Sequence, residues 1–293
     1  MRTDDKTQKI RFHQTLTKRA VILFISLFLL SESSAVSAGN YGLKIVQKLE
    51  TTQQNNTRAE AEKLTNEGLQ LFKQGTAESL TKARQKFQAA LVLWEKLGDK
   101  SEQAVTLLII GRVYSDLGEK QKALSFYNQA LPLYRAVGDR VGEAATLNNI
   151  GLVYSDLGEP QKALSYYNQA LPLLRAVGDR GTEATTLNNI GAVYDALGEK
   201  QKALSYYNQA LPLRRAVGDR IGEAITLNNI GAVYSDLGEK QKALSFFNQA
   251  LPLRRAVGDR RGKAITLNNI GAVYDNLGEK QKALSFFNQA LPL

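Results

Sequence analysis

The stretch Gly142–Asp179, GEAATLNNIGLVYSDLGEPQKALSYYNQALPLLRAVGD, returns every 40 residues along the chain with few changes. Both halves of this unit carry apolar or small residues at the three- and four-residue steps of one helical face. A glycine ends each half, at Gly158 and Gly178, and Pro160 stands where a second helix would begin. Asp179 is placed to cap the next helix. The unit is therefore predicted to be a helical hairpin.

Neither predicted helix can bury its apolar face alone, so neighbouring hairpins are expected to stack. Gly151, Ala163 and Ala170 mark close approaches between helices, and Tyr154 and Tyr167 fill the space beside them. This order of small and aromatic residues resembles the tetratricopeptide repeat. The resemblance implies an all-α fold, a right-handed superhelical α-solenoid of stacked helical hairpins whose first helices line a concave groove.

Two features depart from the usual repeat of that family. The period is 40 residues rather than about 34, which is similar to the long repeats of kinesin light chains and of many bacterial repeat proteins. Pro172 also lies inside the second predicted helix, where its ring is expected to kink the helix. The same proline recurs at Pro132, Pro212, Pro252 and Pro292.

Residues 1–38 have the order of a secretory signal peptide: a basic start, the apolar run Ala20–Leu30, and small residues up to Ala38. Cleavage is predicted after Ala38, and an uncleaved N-terminal membrane anchor is the alternative. The repeats are expected to be exported from a bacterial cell, to the periplasm or beyond, with no stable membrane span after cleavage.

The rest of the chain divides by its repeats. Residues 39–57 are polar and are interpreted as a short linker or a frayed helix, and residues 58–100 as a degenerate N-terminal capping repeat with a longer turn. Residues 101–293 form an array of four full repeats and a fifth that stops at Leu293. An apolar end without a cap would be exposed, so a longer chain, a partner or self-association is expected to cover it.

Composition argues against catalysis in this chain. There is no cysteine, and the single histidine, His13, lies in the signal segment, so nucleophilic triads and zinc sites built on these residues are excluded. No cofactor, no metal and no enzymatic activity are expected. Of the net charge of +10, +3 lies in residues 1–38 and about +7 is spread over the rest of the chain, which argues against nucleic acid as a partner.

The strongest candidate binding residues are paired asparagines on the predicted first helices, beside the core stripe. In long-repeat relatives an asparagine at the position of Asn149 helps to hold an extended peptide. The resemblance extends this ladder through four repeats: Asn148, Asn149, Asn188, Asn189, Asn228, Asn229, Asn268 and Asn269. Repeat 101–140 has Leu108 and Ile109 there, so the ladder starts only at residue 149. The alternative is that these amides form hydrogen bonds between repeats.

The basic pairs Arg214–Arg215 and Arg254–Arg255, with Arg220, Arg260 and Arg261, would suit an anionic ligand. We interpret them instead as cations that offset helix dipoles. The sequence favours a non-catalytic protein-interaction scaffold that binds a peptide or a partner domain in its groove. One alternative is the N-terminal regulatory arm of a caspase-like CHAT-type peptidase, which such bacterial chains resemble. A weaker alternative is a nucleic-acid-binding helical repeat.

Overall fold

The computed structural model describes the backbone of residues 35–291 and the side chains of residues 44–291. All regular structure in this range is α-helical, which confirms the predicted fold class. The predicted signal peptide, apart from its last residues, and Pro292 lie outside the described residues. The helices are α1 (Ala35–Gln74), α2 (Ala77–Leu97), α3 (Lys100–Asp116), α4 (Lys120–Val137), α5 (Arg140–Asp156), α6 (Pro160–Val177), α7 (Arg180–Ala196), α8 (Lys200–Ala216), α9 (Arg220–Asp236), α10 (Lys240–Ala256), α11 (Arg260–Asn276) and α12 (Lys280–Ala290).

The chain divides into two compact units, residues 1–62 and residues 63–293. In the second unit, each odd-numbered helix from α3 onward packs most closely against the helix that follows it, and each such pair packs against the next pair. The pairs are the predicted helical hairpins. Below, the odd-numbered member is called the first helix of its repeat and the even-numbered member the second helix.

Local signals place the ends of these helices. Asp139, Asp219 and Asp259 each accept a hydrogen bond from the backbone N–H three residues on, at 2.8–2.9 Å, and so cap the first helices. Gly178 ends α6 in the left-handed region with φ of 73°, which a glycine adopts without steric strain. Pro160 is the first residue of α6, as predicted.

The equivalent cap Asp179 makes stability depend on pH. It accepts hydrogen bonds from the hydroxyl and the backbone N–H of Thr182, at 2.7 and 3.0 Å. These bonds, the hydroxyl first, hold the pKa of Asp179 below its ordinary value of 3.8. A depressed folded-state pKa contributes stability that is fully present above the unfolded pKa and is lost as pH falls through the folded one.

We therefore expect Asp179→Asn, which keeps an N-cap side chain, to be less stable than the wild type at neutral pH. The gap should close as pH falls from about 5 to about 2. Thermal unfolding of both proteins across this pH range measures the difference in stability. A gap that stays constant at every pH would contradict the assignment.

The core consists of small residues facing aromatic rings. A Cβ atom built on Gly151 would lie 2.6 Å from the ring of Tyr167, and Ala163 and Ala170 are fully buried. A second helix can approach this closely only because the first helix has no side chain at that position. Pro172 lies inside α6, as predicted, and the helix continues to Val177. The kink expected at this proline stays a prediction.

The predicted linker is the main difference from the sequence-based division. Residues 39–57 are part of α1, so the helical alternative is the observed one. The hydroxyls of Thr51, Thr52 and Thr57 donate to carbonyls four residues earlier, at 2.7–2.9 Å. The threonines thereby satisfy their polar groups within the helix, and neither glycine nor proline interrupts residues 43–67.

The degenerate first repeat has the same core contact as the others, a glycine that packs against an aromatic ring. A Cβ atom on Gly68 would meet the ring of Phe87 at 2.7 Å, and Trp94 is buried. The expectation of a longer turn was wrong, because only Gly75 and Thr76 separate α1 from α2. The additional residues extend the helices themselves, where their backbone hydrogen bonds are satisfied.

The last described hairpin leaves an apolar side chain exposed. Leu284 is 59% exposed, whereas Leu244, at the same position one repeat earlier, is 7% exposed. The difference arises because α11 and α12 cover Leu244 and no described helix covers Leu284. Self-association through this surface stays a prediction.

Candidate partner-binding groove

The first helices of successive repeats lie on the tighter side of the stack. Contacts between alternate helices are concentrated on the pairs α3–α5, α5–α7, α7–α9 and α9–α11. In a curved stack, the row whose members approach each other most closely lies on the inner side. The first helices therefore line the concave side of residues 63–293, as the resemblance implied.

Each first helix presents one stripe of accessible residues, which we call the groove stripe. In α5 it consists of Val141, Ala145, Asn149, Leu152 and Asp156, which are exposed or half-buried and follow at steps of four, four, three and four residues. These steps keep all five on one helical face. The equivalents in α7, α9 and α11 begin with Gly181, Ile221 and Arg261 and carry Asn189, Asn229 and Asn269.

The predicted asparagines divide into two sets with different surroundings. Asn148, Asn188 and Asn228 are buried, and their Oδ1 atoms accept from threonine hydroxyls of the next repeat. The donors are Thr186 at 3.0 Å, Thr226 at 3.2 Å and Thr266 at 3.3 Å. These three residues form the structural ladder between repeats that the sequence left as an alternative. A binding role for them stays a prediction.

The second set lies on the groove stripe. Asn149, Asn189, Asn229 and Asn269 are half-buried. Asn229 Nδ2 donates to Asn188 Oδ1 at 3.3 Å, and Asn269 Nδ2 donates to Asn228 Oδ1 at 3.1 Å. Such a bond uses one N–H of the amide, so its oxygen and second N–H remain available to a ligand. Asn268 is exposed, because no described repeat follows it.

The structure also shows where the structural ladder begins. Thr146 donates to its own helix, at Gly142 O and 2.7 Å, whereas Thr186 also reaches Asn148 in the preceding repeat. Thr146 makes no such contact because the preceding repeat carries Leu108 at the asparagine position. The structural ladder therefore begins at Asn148, beside the residue at which the predicted binding ladder begins, and the binding ladder stays a prediction.

Ion pairs join successive repeats beside the groove, and they were not predicted from the sequence. Lys200 Nζ pairs with Asp195 at 2.7 Å and with Asp236 of the next repeat at 2.5 Å, which raises the pKa of Lys200. Lys120 pairs with Asp156 in the same way. At the junction between them, both partners are replaced together, by Pro160 and Ala196. Comparing repeats within the one sequence would have revealed this pairing.

Arginines of the predicted basic pairs form ion pairs at the junctions between repeats. Arg214 Nη1 pairs with the cap Asp219 Oδ2 at 2.5 Å, and its Nη2 donates to Thr185 at 2.8 Å. Arg215 Nε pairs with Glu223 Oε1 at 2.7 Å. Intramolecular ion pairing therefore accounts for Arg214 and Arg215, in addition to any effect on helix dipoles.

Two further classes of feature are absent from the part of the chain that the structure describes. None of its helices combines the length and apolar character needed to cross a membrane. Within the same residues, no three histidine, cysteine, aspartate or glutamate side chains gather where they could hold a metal ion.

Comparisons with known proteins agree with this geometry. The family profile described as tetratricopeptide repeat matches residues 60–136, 142–216, 209–256 and 222–293. No curated protein sequence matches the chain.

Three solved structures illustrate the likeness of fold. BtubC (BKLC) from P. vanneervenii is 21% identical, with 74% of this chain and 88% of that one covered and a TM-score of 0.63. A Rap protein complexed with Competence and Sporulation Factor is 15% identical, with 99% and 95% covered and a TM-score of 0.63. TPR-like repeats of a putative kinesin light chain from Podosopora anserina are 14% identical, with 65% and 94% covered and a TM-score of 0.54. At these identities the likeness concerns the fold alone.

Proposed function

Since this chain belongs to the tetratricopeptide repeat family, we propose that it is a non-catalytic scaffold that binds an extended peptide or a partner domain along its groove stripes. The observation that carries the proposal is the row of half-buried amides at Asn149, Asn189, Asn229 and Asn269, set 40 residues apart on the concave side. The fold is typical of protein-interaction scaffolds, and one similar structure is a complex with a named factor.

Amides suit the recognition of a peptide backbone. Each offers both a donor and an acceptor, as the peptide group itself does, and neither carries a charge. A row of amides can therefore hold an extended chain through its backbone and tolerate many side chains. The near-identity of the repeats is consistent with this kind of loosely specified ligand.

The test uses a displayed library of random peptides, selected on the purified chain, with the affinity of each selected peptide measured by fluorescence anisotropy. We expect Asn189→Ala with Asn229→Ala to weaken binding about tenfold, because each lost hydrogen bond is worth about 0.5–1.5 kcal/mol. The melting temperature should change little, since the two side chains are half-buried.

Asn188→Ala is the matched control. Its oxygen accepts from Thr226 and Asn229, so we expect a loss of about 1–2 kcal/mol of unfolding free energy. A large loss of stability in the Asn189 and Asn229 variant, or unchanged peptide binding by it, would contradict the groove assignment.

Export through a signal peptide, the uncleaved anchor and the regulatory arm of a CHAT-type peptidase all stay predictions. The weaker alternative of nucleic-acid binding gains no support from the aromatic residues. Tyr154 stacks on Tyr166 with their ring centroids 5.4 Å apart, and Lys162 Nζ lies 5.1 Å from the centroid of Tyr154. Rings engaged in this way are less available to stack on bases.

A further inference from the structure

Because the repeats are nearly identical, the row of groove amides does not by itself fix the register in which an extended peptide binds. An extended peptide shifted by one repeat would meet the same amide, because Asn149, Asn189, Asn229 and Asn269 stand in nearly identical surroundings. A single preferred position requires a feature that occurs once along the groove. The following inference rests on the proposed function and asks which residues supply that feature.

The junction between α10 and α11 differs from the junction before it. Arg254 corresponds to Arg214 and pairs with the cap Asp259 through Nη1. However, Ile225 stands where Thr185 accepts from Arg214 Nη2, so Arg254 has no hydroxyl partner. Arg254 is only 7% exposed, and its Nε is buried without a hydrogen-bond partner, as is that of Arg214. The two junctions therefore differ at Nη2, which in Arg254 lacks the hydroxyl acceptor beside the groove stripe.

Arg261 adds a second cation at this junction. It is the first residue of the groove stripe in α11, where the three preceding repeats have Val141, Gly181 and Ile221. Arg261 is exposed and forms no ion pair with the described residues. The pKa of Asp259 is lowered first by the backbone N–H of Gly262, then by Arg254 and by Arg261, which places both cations near one carboxylate.

Apolar side chains flank these cations. Ile225 is 37% exposed and Ile265 is 46% exposed, one turn before Asn229 and Asn269 respectively. The hydrogen bond between Asn269 and Asn228 holds α9 and α11 side by side at this level. In the two repeats before them, the same position carries Ala145 and Thr185. Among the groove stripes that carry the asparagine, those of α5, α7, α9 and α11, a cation stands only at Arg261.

We propose that Ile225, Arg254, Arg261 and Ile265 form an anchoring subsite that receives one acidic side chain of the bound peptide, with an apolar neighbour. The carboxylate supplies an acceptor for Arg261 and for Nη2 of Arg254, whose Nη1 pairs with Asp259, and the isoleucines contact the apolar residue. The subsite sets the register of the peptide on the otherwise uniform amide ladder. A peptide fits better than nucleic acid, because Asp259 offsets one of the two cations and no aromatic side chain on these stripes is present to stack on a base.

The test compares Arg261→Ile, which installs the residue found at Ile221, with Arg255→Ala. Arg255 also has no ion-pair partner among the described residues, since Lys263 replaces the glutamate that partners Arg135, Arg175 and Arg215. Position 263 is two residues from Arg261 and therefore lies on the opposite side of α11, away from the groove stripe. The control removes the same charge without touching the subsite.

The probes are library-selected peptides that contain an acidic residue, their counterparts with Asp→Asn or Glu→Gln, and a single-stranded DNA oligonucleotide. We expect Arg261→Ile to weaken binding of the acidic peptide about tenfold and Arg255→Ala to weaken that binding less than about twofold. Neutralising the acidic residue should weaken binding to the wild type by a similar factor and leave binding to the Arg261→Ile variant almost unchanged. The melting temperature of Arg261→Ile reports whether its fold is intact.

Three results would overturn the subsite: equal effects of the two arginine variants, no penalty for the neutral peptide, or Arg261-dependent binding of the oligonucleotide alone. Peptides that depend on Asn189 and Asn229 but not on Arg261 would refute the subsite and leave the proposed function standing. A library that yields no binding peptide would refute both.

Discussion

Asp219→Ala is expected to lower the free energy of unfolding by about 3 kcal/mol. Asp219 has two partners: it caps α9 by accepting from Gly222 N at 2.8 Å, and it pairs with Arg214 Nη1 at 2.5 Å. The Arg214 side chain is only 11% exposed. Removal of the carboxylate would therefore leave a largely buried cation with Thr185 as its remaining partner, in addition to the loss of the cap.

Asp139→Ala is the matched control, because Asp139 caps α5 in the same way, by accepting from Gly142 N at 2.9 Å, but has Tyr134 where Asp219 has Arg214. We expect this variant to lose only about 1 kcal/mol, the typical contribution of an N-cap. Chemical denaturation followed by far-ultraviolet circular dichroism measures both. Equal losses in the two variants would show that the buried pair contributes nothing beyond the cap.

Gly191→Val is expected to lower the free energy of unfolding by about 3 kcal/mol through overpacking. A Cβ atom at this position would lie 2.7 Å from the ring of Tyr207, which is 1% exposed. The ring has no space into which it can move, so the helices α7 and α8 would have to separate. Separation would also open the contacts of Ala203 and Ala210, which are fully buried.

Gly271→Val separates the steric effect from the poorer helix propensity of valine. Its Cβ atom would lie equally close to Phe287, at 2.7 Å, but that ring is only half-buried in the last described hairpin. We expect a loss of about 1 kcal/mol there, because the ring can shift towards the solvent. Thermal and chemical unfolding of both variants test this. If Gly271→Val were as destabilising as Gly191→Val, confinement of the ring would not be the cause.

Much of the fold was predictable because its signals are local and repeated. The glycine after each helix, the aspartate before each first helix and the small residues opposite an aromatic ring occur at fixed offsets, and the structure confirms Gly178, Asp179 and Gly151 in these positions. The predicted linker was misjudged because threonines can bond to their own helix. This local compensation is not visible in composition.

The candidate site was predictable only in part. From the sequence, Asn148 and Asn149 were predicted together as binding residues, since they are adjacent and of the same type. Their difference arises from the next repeat, where Thr186 meets Asn148 at 3.0 Å. The missing hydroxyl partner of Arg254 Nη2 likewise depends on Ile225, a residue distant in sequence that stands where Thr185 accepts from Arg214.

The sequence by itself determined the repeat, its two helices, their ends and the side of each helix that faces the core, because these depend on backbone preferences and on periodicity within about 40 residues. Only the tertiary structure decided which amides are consumed between repeats, which arginines are paired and which face the groove. Those properties depend on the distance between side chains of successive hairpins, and that distance is set when the hairpins pack.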